Sequence, residues 1–176
     1  MFLHRMQASV ATLAAVNRLV ATVLFTMLTA VVAIQIVSRF VIHAPVIWSE
    51  EAARFLFFWV VLLGAAMSVK DRRHFVLDVT GGRTSGGPRL RFLLDILPDV
   101  CVLAFSVLLL VEGAGYAQVG LFRTASNSGV NMALVYAAIP TFATLSAIYA
   151  ATNLLVDWAA FRQGRGPAAR PPAAAD

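Results

Sequence analysis

Four long apolar stretches leave this chain few places to fold except a membrane. Leu19 to Val37 and Phe55 to Val69 hold no charged residue, and neither does Met132 to Val156. Ile96 to Val119 holds only Asp99 and Glu112. At 1.5 Å per residue such runs cross a hydrocarbon core of ~30 Å as α-helices. The expected fold class is therefore all-α integral membrane, with four transmembrane helices in one compact bundle.

Composition agrees. The chain has 176 residues, 60% hydrophobic and 13% charged, where a soluble domain carries about 25% charged residues. Its net charge of +5 does not indicate nucleic-acid binding. The basic residues flank apolar runs, where membrane topology and anionic lipid account for them. The single cysteine, Cys101, excludes an internal disulfide and a dithiol redox pair. Leu19 to Val37 is too long for the apolar part of a signal peptide, so a retained helix is expected there.

Helices are expected at about 17–38, 50–70, 88–122 and 131–157 within a single membrane domain, 1–163. Residues 1–16 are mildly amphipathic and either lie on the membrane surface or extend the first helix. Pro45 breaks the chain before helix 2, Ser49 suits its N-cap, and Glu50 and Glu51 suit the positive end of its dipole. Gly81 to Gly87 reads as a loop, Pro88 fits the first turn of helix 3, and Pro140 can bend helix 4. Gly164 to Asp176 is Gly-, Pro- and Ala-rich and is expected to be a disordered cytoplasmic tail.

Lysine and arginine placement sets the expected orientation. Arg5 and Arg18 precede the apolar run of helix 1, and Lys70, Arg72, Arg73, Arg83, Arg89 and Arg91 flank or occupy the middle connection. Arg162, Arg165 and Arg170 follow helix 4, whereas the other two connections carry only Arg39 with Arg54, and Arg123. Both termini and the middle loop are thus expected on the cytoplasmic side.

The segment Trp48 to His74 concentrates the polar residues. Glu50 and Glu51 precede Arg54 by four and three positions, so all can share a helix face. They read either as a capping and ion-pair cluster or as a docking or lipid-headgroup site. Trp59 sits among Phe55, Phe57 and Phe58, a ring of aromatics suited to lipid or a large apolar partner. Gly64-Ala65-Ala66 and Gly113-x-Gly115 are small-residue patches that permit close helix contact. Glu112 reads either as an intramembrane functional acid or as an interfacial residue paired with Arg123 or Arg39. His43 and His74 lie at opposite ends of helix 2 and cannot face each other as haem ligands. No metal-ligand spacing, nucleophile triad or phosphate loop is present, so neither an enzyme nor a cofactor is expected.

These residues together resemble the small membrane subunit of tripartite ATP-independent periplasmic (TRAP) transporters, the DctQ-like family. The resemblance runs from Asn17 to about Asp157. It rests on Arg39-Phe40, Trp48-Ser49-Glu50-Glu51-x-x-Arg54, Trp59, Leu63-Gly64-Ala65, Arg73-His74 with Asp78, and Tyr136-x-x-Ile139-Pro140. It implies a bacterial inner-membrane protein that serves as a fixed accessory scaffold. A large membrane subunit would carry the substrate and sodium sites. A periplasmic substrate-binding protein would deliver an organic acid such as a C4-dicarboxylate or sialic acid. On this reading Trp48, Glu50, Glu51, Arg54, Trp59, Gly64 and His74, with Arg39 and Glu112 second, are candidate contacts to partner or lipid. The alternative is a self-contained, homo-oligomeric carrier or channel using Glu112 or Glu50.

Overall fold

A single helix, α1 (Phe2–Phe40), takes up the first part of the chain. It is about 58 Å long at 1.5 Å per residue, nearly twice a hydrocarbon core. The amphipathic start therefore continues helix 1 instead of lying apart from it. The computed structural model describes residues 2–44, 46–71 and 88–162. Pro45, Arg72, Arg73, His74, Asp78, the Gly81 to Gly87 stretch and the tail from Gly164 lie outside the described residues.

Helix α2 spans Ile47–Lys70 and α3 spans Pro88–Gly120. Proline at the first position of α3 costs nothing, because its missing N–H would have no helical partner there. The fourth hydrophobic stretch forms a short α4 (Met132–Tyr136) and a long α5 (Ala138–Arg162). The break at Ala137 has a local cause. Pro140 has no N–H to offer the Tyr136 carbonyl four residues earlier, and the regular bond resumes from Thr141 N to Ala137 O at 3.1 Å. Among the described residues, four segments are long and apolar enough to cross a membrane: Met6–Phe40, Ile47–Lys70, Ile96–Gly120 and Met132–Ala159.

The helices stand in an open row, in the order α1, α2, α5, α3, with α4 against α3. Among the described residues α1 touches α5 only slightly and has no substantial contact with α3. Two flanking helices keep wide apolar faces: Leu19, Phe25, Met27 and Ile36 on α1, and Phe105, Leu108 and Val111 on α3, are all exposed.

The core lies where α1, α2 and α5 meet. Ala14, Ala66, Val69, Tyr149 and Ala150 are buried there, with Val102, Leu103 and Phe142 packed around them. Alanine on all three helices lets the backbones approach closely, the usual solution where lipid supplies no hydrophobic drive. Polar side chains tie the same region. Asn17 donates to the Leu63 carbonyl at 3.3 Å. Asn153 donates to the Val69 carbonyl at 3.3 Å and to Asp99 Oδ1 at 3.4 Å, linking α5 to α2 and α3. Asp99 and Asp157 are both buried. Replacing Asn153 with Ala should lower stability by about 1–3 kcal/mol, because the buried Asp99 loses a donor. Denaturation of the detergent-purified chain checks this, and unchanged stability would show that the link carries no weight.

The glycines divide by environment. A Cβ on Gly113 would lie 2.7 Å from Ile139 Cγ2, and one on Gly120 would lie 2.7 Å from the Ala133 Cα and N. These two set the close approach of α3 to α5 and α4. Gly64 and Gly115 would meet nothing within 4 Å. The expected close helix contact therefore forms through Ala66 and Gly113, not through Gly64 or Gly115.

Candidate functional site

The polar residues at the start of α2 build a clamp across the end of the membrane domain. Helix α2 begins at Ile47, with Val46 in the N-cap position and no side-chain cap. Ser49 is therefore inside the helix, not its cap. Its hydroxyl donates to the Val46 carbonyl at 2.6 Å, and the residue is 1% exposed. The Ser49 carbonyl in turn accepts from Gln35 Nε2 at 2.6 Å. This ties α2 to α1 just before α1 ends.

Glu51 makes a set of long-range bonds, to residues 76 and 77 positions along the chain. Its Oε2 accepts from the Ser128 amide at 2.9 Å and the Ser128 hydroxyl at 2.8 Å. Its Oε1 accepts from Asn127 Nδ2 at 3.1 Å, and the Asn127 amide lies 3.2 Å from both carboxylate oxygens. A carboxylate with two acceptor oxygens suits such a cluster of donors, as in a backbone nest.

The segment it grips has its own frame. Ala125 N donates to Val130 O at 2.8 Å, and Met132 N to Arg123 O at 2.9 Å. Gly129, at φ 67°, turns the chain back, a conformation that costs glycine nothing. Asn131 closes the frame from both sides. Its Oδ1 accepts from Ala133 N at 2.8 Å to cap α4, and its Nδ2 donates to Leu121 O at 3.1 Å, holding the end of α3. Near the clamp, Trp59 Nε1 donates to the Leu134 carbonyl at 3.2 Å, which links α2 to α4 itself.

The remaining candidates separate from this clamp. Glu50, Arg54 and Trp48 are exposed. Among the described residues no ion pair joins Arg54 to Glu50 or Glu51; at the other end of α2, Lys70 pairs with Asp71 at 3.5 Å. In place of the expected acid–arginine ion pair, Glu51 is held by hydrogen bonds, with the Arg54 charge acting on it without a direct contact. Arg39 and Glu50 line one small hollow with Gln35 and Ser49. Glu112 is exposed on α3, and among the described residues it pairs with neither Arg123 nor Arg39. Gly64 faces open space, and His74 lies outside the described residues. Asn127 and Ser128 are the partners that sequence reading missed. They lie in the connection between the third and fourth expected helices, and nothing in local spacing ties it to a glutamate 76 positions away.

A profile of the family described as tripartite ATP-independent periplasmic transporters, DctQ component, matches residues 28–160. The C4-dicarboxylate TRAP transporter small permease protein DctQ of Vibrio cholerae is 36% identical over 46% of this chain and 34% of its own length. The sialic acid TRAP transporter permease protein SiaT of Haemophilus influenzae is 30% identical over 63% of this chain and 18% of its own length. The sialic acid TRAP transporter small permease protein SiaQ of Vibrio cholerae is 26% identical over 71% of each chain. The chain thus spans about a third or less of the first two relatives' lengths. A match across most of the chain, together with four membrane-length apolar segments, makes this protein a multi-pass membrane member of the DctQ family of TRAP transporter components.

Proposed function

We propose that this chain is the small accessory subunit of a TRAP transporter and acts as its fixed scaffold. It works beside a large membrane subunit in the bacterial inner membrane, and the complex takes up an organic acid with sodium. A periplasmic binding protein delivers that acid. The observation that supports this reading most is the contrast between the clamp and the flanks. Glu51 and Gln35 spend the polar groups at one end on internal ties between helices. Helices α1 and α3 meanwhile keep long apolar faces on both sides of an open row. Such a framework suits holding a neighbour better than moving through alternating states. The names of the relatives support a dicarboxylate or sialic acid as the class of substrate.

Both termini and the connection after Lys70 lie in the cytoplasm on this reading, which puts the Glu51 clamp on the periplasmic side, where the binding protein arrives. A C-terminal fluorescent fusion should then mature and fluoresce; periplasmic export of that end would reverse the orientation. Tagged chain extracted gently from its native membrane should bring down a large multi-spanning subunit in a fixed ratio. Recovery of this chain alone, or only with copies of itself, would contradict the accessory role.

A further inference from the structure

At the Lys70 end, α1 and α2 separate into a groove that borders the core at Ala14 and Met67 and lies away from the clamp. Two adjoining hollows of about 430 and 530 Å³ meet at Arg18 and Thr22. Lys70 lines the first, and Asp71, Phe25, Val60 and Gly64 line the second. A Cβ on Gly64 would meet nothing within 4 Å, so the floor of the groove is open backbone.

The groove is charged as well as apolar. Lys70 Nζ and Asp71 Oδ1 pair at 3.5 Å and balance each other. Among the described residues Arg18 has no ion-pair partner. The groove therefore keeps one net positive charge. Its depth follows from the neighbour of Arg18. Asn17 bonds the Leu63 carbonyl, roughly two helical turns before Lys70 at 3.6 residues per turn. The Arg18 backbone thus sits inside the apolar span, with its guanidinium reaching back toward the interface. A guanidinium so placed requires a counter-anion or the headgroup layer. An apolar helix laid over Gly64 would cover that charge without balancing it, whereas a phospholipid brings a phosphate and an acyl chain in the order the groove presents.

We propose that this groove binds one mono-anionic phospholipid, its phosphate held by Arg18 and Lys70 and one acyl chain lying over Gly64 along Phe25 and Val60. The full chain, purified in detergent and stripped of lipid, is titrated with phosphatidylglycerol or phosphatidylethanolamine, and bound lipid is counted by native mass spectrometry. Phosphatidylglycerol should be retained roughly fivefold or more over phosphatidylethanolamine, the factor one basic residue contributes toward an anionic headgroup. Arg18→Gln should abolish that preference, and Arg123→Gln, at the opposite end of the domain, should leave it unchanged. Gly64→Leu has room for its side chain, so helical content should hold while retention of both lipids falls. Equal retention of the two lipids by the unaltered chain overturns the proposal. So does a preference for phosphatidylethanolamine, which would mean that its ammonium meets Asp71. Undiminished phosphatidylglycerol binding by Gly64→Leu would place the lipid elsewhere.

Discussion

Glu51→Ala should free the Asn127–Ser128 segment from α2. The effect is large for a single half-buried side chain because two backbone amides, a hydroxyl and an amide side chain all converge on its two oxygens. Removing the carboxylate leaves those donors to water and cuts the direct bond between α2 and the α3–α4 connection. Amide hydrogen exchange reads the change directly, since the Asn127 and Ser128 N–H groups are themselves the donors. Exchange at both should accelerate roughly tenfold or more, the loss expected for a charge-assisted bond. Glu51→Gln keeps one acceptor oxygen and should fall between. Glu50→Ala, one position away and exposed without such partners, should leave both amides as protected as in the unaltered chain. Unchanged protection in Glu51→Ala would mean that the segment holds its shape through Asn131 and its own backbone bonds alone.

Gly120→Ala should be the most damaging of the glycine substitutions. The added Cβ would fall 2.7 Å from both the Cα and N of Ala133 and 2.8 Å from Tyr136 Cδ2. Backbone at such a distance cannot rotate away, so α3 and α4 must part. Overpacking of this kind costs about 1–3 kcal/mol or more. The displacement also works against the Asn131 ties and the edge-to-face contact of Tyr116 with Tyr136, whose centroids are 6.2 Å apart. Gly64→Ala is the internal comparison. Its Cβ enters open space, and alanine is favoured over glycine in a helix by up to ~1 kcal/mol. Denaturant titration in detergent should therefore destabilise one variant and leave the other equal to the parent or slightly more stable. Equal stability of the two variants would show that α3 and α4 do not touch at Gly120.

Much of the fold was legible because a membrane imposes one rule on every residue. Apolar runs of sufficient length become helices, and Pro88 and Pro140 marked a start and a break for reasons local to the chain. The start of α2 was misplaced because Ser49 fits the chemistry of a cap. The structure instead uses its hydroxyl one turn back, on Val46, and its carbonyl for Gln35. The order of the helices could not be read at all. An amphipathic pattern normally shows which face packs, but in lipid both faces are apolar, so α1 and α3 gave no sign that they flank an open row. Glycines fail the same way: Gly64 and Gly120 look alike in sequence, and only the neighbour across the gap separates them. The candidate site was half visible. Glu51 was singled out for its company with Glu50 and Arg54, yet its partners come from a turn far along the chain, and Arg54 is not among them.

On the proposed function this chain holds a transporter together and leaves the solute to the large membrane subunit. Uptake by proteoliposomes tests that most directly, with a sodium gradient, the cognate periplasmic binding protein and a labelled organic acid. Vesicles containing this chain with the large membrane subunit should accumulate the acid, and those lacking either subunit should stay at background. Sodium-dependent accumulation in vesicles containing this chain as the only membrane protein would contradict the account.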